Sequence, residues 1–308
     1  MTSPFTIQDA LLGPLQRLER ERAIAVQRWR WVASAGIIGL LILSLATNIL
    51  HLPVWLTFAA LPCVLVLIWM AWRPIEALRV RIRSDVSRVA AEALGLAYVP
   101  IETDPIDLTT LSTLGLCPDH NQRSCVDGWH GVRAGREFSL SGLHLRQRSE
   151  RTRKYVSVFD GQILRLRFTR PFASPILLAS SSFSLSIAAT RSAAVVELAD
   201  SEWQQRYVLL SNSQIEARYL FDSRIFHHLT HLTQLLGGTR LRGLIEGHYL
   251  TLLIEGRALF EPASMLHTID AEQQALRVID QLVGMLAFLD HLDDSPPATL
   301  PSLRSEAS

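Results

Sequence analysis

Cys117, His120, Cys125 and His130 stand in the pattern C-x2-H-x4-C-x4-H, the spacing of a zinc knuckle with two ligand identities exchanged. Tetrahedral zinc accepts two thiolates and two imidazoles, so these four residues are the candidate metal site. The competing reading is that Cys and His are scattered through a small loop and an adjacent strand. Three more histidines, His227, His228 and His231, crowd one helical stretch. His227 and His231 are one turn apart, facing away from an apolar stripe of Ile225, Leu229, Leu232 and Leu236. No glutamate base stands between them as H-E-x-x-H chemistry requires, and a solvated face accounts for them. Arg146, Arg148, Arg151, Arg153 and Lys154 form a basic run between two candidate strands. Such a run suits anionic lipid headgroups or an acidic partner, and equally a solvated hairpin tip.

Other chemistry is missing. The chain has no Walker lysine loop, no G-x-G-x-x-G and no G-x-S-x-G elbow, and its carboxylates form no recognisable acid–base pair. No cofactor is expected. Net charge is +1, and no basic stripe interleaved with aromatics suggests nucleic-acid binding. Three cysteines cannot build a disulfide framework. A binding role is therefore preferred to catalysis.

The elements that would position these residues follow from composition. Of 308 residues, 48% are hydrophobic and only 19% charged, with a mean hydropathy of +0.20. The excess is local: residues Trp31 to Trp72 contain no Asp, Glu, Lys or Arg. A membrane span needs about 20 apolar residues, so the stretch fits two spans. We place them at Val32–Leu50 and Val54–Trp72, with Asn48, His51 and Pro53 at the break. Pro62 is a candidate kink in the second span. Arg17, Arg20, Arg22, Arg28 and Arg30 precede the pair, and Arg73, Arg79, Arg81, Arg83 and Arg88 follow it. The turn carries no cation, so the positive-inside rule puts both termini in the cytoplasm. Trp29, Trp31, Trp55, Trp69 and Trp72 fall where interfacial aromatics belong. The spans carry no ionisable residue of a transport path, and a simple anchor is expected.

Around this hairpin we expect an N-terminal cytoplasmic region (1–31) with a helix over Leu15–Trp31 after Pro14, in which Arg17 and Glu21 can pair. A juxtamembrane amphipathic helix lies within 73–99, apolar at Ile75, Leu78, Ile82, Val86, Val89 and Ala93. Its Arg73, Arg79, Arg81 and Arg83 are candidate contacts for anionic headgroups. Residues 100–293 read as a cytoplasmic α+β domain and 294–308 as a disordered tail. Candidate strands are Arg136–Leu140, Tyr155–Phe159, Gln162–Phe168, Ile176–Ala179, Ala194–Leu198, Arg240–Glu246 and Tyr249–Glu255, the last two joined by a tight turn at Gly247-His248. Ser213 and Glu216 have the spacing of a capping box for a helix ending near Leu220. Asp222 caps a second helix, about Ser223–Leu236, closed by Gly237-Gly238. A last helix, about Asp270–Leu292, carries an apolar stripe at Ala275, Ile279, Leu282, Leu286 and Leu289, read as core.

The block Ser213-Gln214-Ile215-Glu216-Ala217-Arg218-Tyr219-Leu220, preceded by Trp203 to Ser211, resembles the most recognisable block of a bacterial family catalogued as domain of unknown function three-one-three-seven. Phe159-Asp160-Gly161 is similar to its F-x-G block and Leu259-Phe260-Glu261-Pro262 to its L-F-E-P block. Together they cover about Asp127 to Leu292 in the right order. The chain departs from the family at Ser213, where an acidic residue is usual, and near Asp222-Ser223, where Thr-Pro is usual. The resemblance implies two membrane spans followed by a cytoplasmic α+β domain, but no catalytic residue. Glu216, Ala217, Arg218 and Tyr219 are the family-like candidate site; in the structural alternative Glu216 completes the capping box and Arg218 pairs with Asp222.

The expected protein is a bacterial inner-membrane, multi-pass protein whose hairpin tethers a binding or scaffolding domain to the lipid bilayer and to an unidentified protein partner. One alternative is a tethered enzyme acting on a phosphate-bearing or lipid substrate; a pocket lined by Glu216, Arg218 and His248 would favour it. The other is an accessory subunit of a larger membrane complex.

Overall fold

The computed structural model describes residues 4–49, 55–101, 106–183, 193–198, 200–256 and 271–293. The turn around Pro53, the Leu259-Phe260-Glu261-Pro262 block and the tail lie outside the described residues. The chain divides into two compact units. The first is built on two long helices, the second on residues 94–259 and 278–308.

Helix α1 spans Pro4–Ile49 and α2 spans Trp55–Leu94. Pro14 does not start α1, which already runs from Pro4 among the described residues. The second apolar span and the amphipathic stretch form one continuous helix, with Pro62 and Pro74 inside it. Ile75, Leu78, Ile82, Val86 and Ala90 of α2 are buried, the three–four spacing of one helix face. Val89 and Ala93, expected on that face, are only partly buried. Trp29 meets Trp72 edge-on with ring centroids 5.3 Å apart. A Cβ added at Gly36 would sit 2.8 Å from Val64 Cγ1. These two contacts pair earlier residues of α1 with later ones of α2, the signature of an antiparallel hairpin, and the small residue permits the close approach. Between Trp31 and Trp72 the hairpin leaves Leu41, Ile42, Leu45, Leu65 and Met70 exposed.

The second unit is an eight-stranded antiparallel sheet: β1 (Ala97–Ile101), β2 (Gln122–Arg133), β3 (Arg136–Arg148), β4 (Tyr155–Arg167), β5 (Ile176–Ser180), β6 (Tyr207–Ser211), β7 (Gly238–Glu246) and β8 (Tyr249–Gly256). Their order across the sheet is β1-β2-β3-β4-β8-β7-β5-β6, and the class is α+β as expected. Ala134 (φ 50°) and Gly135 (φ 74°) close the β2–β3 hairpin, both positive as a type I′ turn demands. Gly247 (φ 55°) opens the β7–β8 turn, the position where a type II′ turn requires glycine.

Several elements differ from expectation. The two strands expected on either side of Asp160-Gly161 are one, β4, and β3 runs well past Leu140. Ala194–Leu198 contributes only an isolated bridge between Val195 and Leu210. β2 escaped notice because Asp127, Gly128, His130, Gly131 and Arg133 mask its period. It also bulges between Val126 and Trp129, which reverses the inward–outward alternation. Pro100 lies in edge strand β1, where a missing N–H costs no ladder bond.

Short helices fill the connections: α3 (Thr109–Thr113), α4 (Ser201–Arg206), α5 (Gln214–Leu220) and α6 (Ser223–Leu235), before the long α7 (Ala271–Asp293). Asp222 caps α6 as expected, accepting from the Ile225 amide at 2.9 Å, and Gly237 (φ 62°) follows it. Ile225, Phe226, Leu229 and Leu232 of α6 are buried. Trp203, Tyr207 and Phe226 stack, with centroids 5.3–6.4 Å apart, joining α4, β6 and α6. Among the described side chains of α7, Leu282, Met285, Phe288, Leu289 and Leu292 are buried, while Leu286, expected on the stripe, is half-buried. A core cluster gathers Leu111, Leu116, Leu143, Phe159, Ile163, Leu177 and Leu253.

Candidate functional site

The zinc candidates are not brought together. Cys125 and His130 sit five residues apart along β2, roughly 15 Å at the rise of a strand, whereas ligands of one zinc lie within a few ångströms. His120 Nδ1 is 3.0 Å from the Pro118 carbonyl. Cys117 is buried, and that burial pushes its thiol up, away from the thiolate a metal needs, against a weaker opposing hydrogen bond from Ser112. Among the described residues no three of His, Cys, Asp and Glu gather as a metal group.

The histidines of α6 divide as the stripe requires: His227 and His231 are exposed. His228 instead stacks on His291 of α7, centroids 3.7 Å apart. Burial, then the charges of His291, His227 and His231, hold His228 below its ordinary value.

The Glu216 block has different partners from those expected. The Ser213 side chain makes no cap hydrogen bond, and its amide donates to Ser211 Oγ at 3.1 Å. The reciprocal half of a capping box is therefore already taken. Glu216 is buried and accepts from the Ala173 amide at 3.3 Å. Arg218 lies 3.9 Å from Glu197 instead of meeting Asp222, whose carboxylate is engaged by the α6 cap and by Arg224 at 3.3 Å. Ala217 is buried in α5 and Tyr219 half-buried.

The basic run is a hairpin tip. Arg146 and Arg148 end β3, and residues 149–154 turn the chain into β4, with the Ser149 amide donating to the Lys154 carbonyl at 2.9 Å. All five cations are exposed, as are Tyr155 and Val156 beside them. On α2, Arg73 lies over the Trp69 ring at 4.1 Å and Arg79 is 3.8 Å from Glu76. Arg73 and Arg81 are exposed, and Arg79 and Arg83 half-buried.

At the other end of the sheet lies a cavity of about 260 Å³ lined by Gly135, Arg136, Glu137, Arg167, Phe168, Thr169 and His248. Antiparallel pairing builds it: β3 begins, β4 ends and β8 begins at this edge, with Phe138 opposite Leu166 and Arg167 opposite Tyr249. Arg136 is buried and donates to the Leu289 carbonyl at 2.9 Å. The Phe168 amide donates to the His248 carbonyl at 2.7 Å, and the Phe172 amide to the Gly247 carbonyl at 2.9 Å, fixing the turn. Of the three residues whose shared pocket would favour the enzyme alternative, His248 lines this one; Glu216 and Arg218 are not among its lining. Arg136 and Arg167 carry no sequence signal, since only the register makes them neighbours.

No curated protein matches this chain. Among solved structures, a crystal structure of the mycobacterial trehalose monomycolate transport factor A, TtfA, is similar, with a TM-score of 0.35 and 11% identity over 68% of this chain and 93% of that one. Residues 157–294, the segment that holds the Phe159 and Ser213 blocks, match the model of the family described as Protein of unknown function (DUF3137).

Proposed function

We propose that this chain is an integral inner-membrane protein. Its α1–α2 hairpin anchors the α+β domain at the cytoplasmic face, where that domain binds or scaffolds a partner. The observation that carries this reading is how the apolar surface is exposed. Helical segments Glu19–Ile49 and Ala59–Leu94 are long and apolar enough to cross a membrane, yet only 6% and 11% of their most apolar stretches are buried. Core helices of a soluble protein hide such faces, whereas lipid is the solvent that tolerates them. The arginines flanking the hairpin support cytoplasmic termini. The exposed cations of α2 and of the hairpin tip suit anionic headgroups.

Alkaline carbonate extraction of cell membranes tests the anchor: the full chain should stay in the pellet, and its release would overturn the reading. A C-terminal fusion to a cytoplasm-maturing fluorescent protein should glow while an alkaline phosphatase fusion stays inactive. The reverse pair would overturn the orientation.

A further inference from the structure

We propose that the cavity at the β3–β4–β8 end of the sheet binds a phosphate-class oxyanion. This deepens the reading of the domain as a binding module. Two guanidiniums and an imidazole line the cavity against a single carboxylate, so the lining is complementary to an anion. Arg136 is preorganised: it is 4% exposed, is held by the Leu289 carbonyl, and lies 5.8 Å over the Phe168 ring. A guanidinium fixed in this way places positive charge in the cavity wall without losing rotamer freedom on binding.

Arg167 is the adaptable partner. Its only carboxylate contact among those described is Glu137 at 3.3 Å, with side chains 52% and 68% exposed. Such a solvent-screened pair is weak, and an incoming dianion competes for Arg167 at little cost. His248 completes the set. Its Nδ1 lies 3.3 Å from the Phe168 carbonyl, which can only accept, so Nδ1 carries the proton and Nε2, which holds a lone pair in that ring, accepts from the P–OH of a monoprotonated phosphate.

Size narrows the class. At about 260 Å³ the cavity is smaller than the roughly 300–1,000 Å³ of sites that enclose drug-sized ligands. Phe168 is the one large apolar side chain lining it. It therefore takes a phosphate and a few attached atoms and excludes an acyl chain. The cavity and the basic tip also stand at opposite ends of the 13-residue strand β3, about 40 Å apart at the usual strand rise. The tip and the cavity are therefore separate sites, and whether the oxyanion comes from solution or from a lipid headgroup is what the titration distinguishes.

The test is calorimetric titration of the full chain in dodecyl maltoside, which contains no phosphate. The ligands are inorganic phosphate, glycerol phosphate and dihexanoyl phosphatidylglycerol, with sodium chloride matching ionic strength. Inorganic phosphate should bind saturably. Arg167→Gln and His248→Gln should each weaken it about tenfold, while Arg240→Gln, exposed at the end of β7 away from the cavity, leaves it unchanged. Glu137→Gln removes the competing carboxylate and should tighten binding, a gain that misfolding cannot imitate. Glycerol phosphate matching the lipid assigns a soluble source, and a clear preference for the lipid assigns a headgroup; either supports the oxyanion site. Heats no different from chloride up to about 10 mM ligand, or affinities unmoved by all three pocket variants, would overturn it. The same preparations go through carbonate extraction. A chain that stays in the pellet but binds no phosphate loses only the pocket. One that is released yet binds phosphate loses only the anchor.

Discussion

Gly161 of β4 has no room for a side chain. A Cβ there would collide with the Ile254 carbonyl of β8 and approach Phe159 Cζ to 2.9 Å and Glu255 Cα to 3.0 Å. The glycine of the F-x-G block is thus a packing residue: it lets β8 and the Phe159 ring close over β4. Gly161→Ala should cost about 1–3 kcal/mol, the usual penalty of overpacking a core, read as a lower urea midpoint by tryptophan fluorescence. A midpoint equal to wild type would show that β8 gives way. Arg242 of β7 is another residue whose role only the fold reveals. It is buried, donates to Glu255 and to the Leu116 carbonyl, and lies 4.2 Å over Phe183. Burial pulls its pKa down, and the charge of Glu255 opposes that. In sequence it reads as one more arginine of a polar strand. Glu216 makes the same point in reverse. Its spacing to Ser213 was legible as a cap, but Ser211 supplies that bond first and frees Glu216 for Ala173.

Elements with strong local signals form where periodicity put them: α6 with its Asp222 cap, β5, the β7–β8 pair and α7. Those that failed to show are strands whose alternation is broken by glycine, charge or a bulge, β2 above all. Contact between elements then creates chemistry neither holds alone, as where α6 meets α7 at the His228–His291 stack. Burial, reinforced by neighbouring positive charge, lowers His228 in the folded state. Between that lowered value and the ordinary one the unfolded chain binds more protons, so folding stability rises with pH there. The contribution is fully present above about pH 6.5 and is lost as pH falls through the lowered value. The thermal midpoint should therefore be lower near pH 5.5 than near pH 7.5, and His228→Gln should narrow that gap. A gap unchanged by the substitution would place the pH dependence elsewhere. Arg133 and Asp290 join β2 to α7 at the same end, through two hydrogen bonds of 2.6 Å. The guanidinium holds the Asp290 carboxyl below its usual range against the effect of burial.

For the whole molecule, the membrane reading and the basic tip make a joint prediction. Wild-type chain reconstituted from detergent should associate more readily with vesicles containing phosphatidylglycerol than with neutral ones. Replacing Arg146, Arg148, Arg151, Arg153 and Lys154 by Gln should reduce that preference, and increasingly so at low salt, where charge attraction is least screened. Equal recovery from both vesicle types would remove the tip as a lipid contact. The chain by itself determined its two apolar helices, the α+β class, the exposed basic hairpin and the family-like blocks. Each rests on a local pattern: a run without charge, a period of two or three to four, a cap residue, a cluster of cations. The tertiary structure decided that Cys117, His120, Cys125 and His130 do not assemble. It also decided that Glu216 and Arg218 have other partners, and that Arg136, Arg167 and His248 share a cavity. These facts depend on strand register and on the meeting of turns more than a hundred residues apart. Local periodicity carries no record of either, because register is set only when the whole sheet closes.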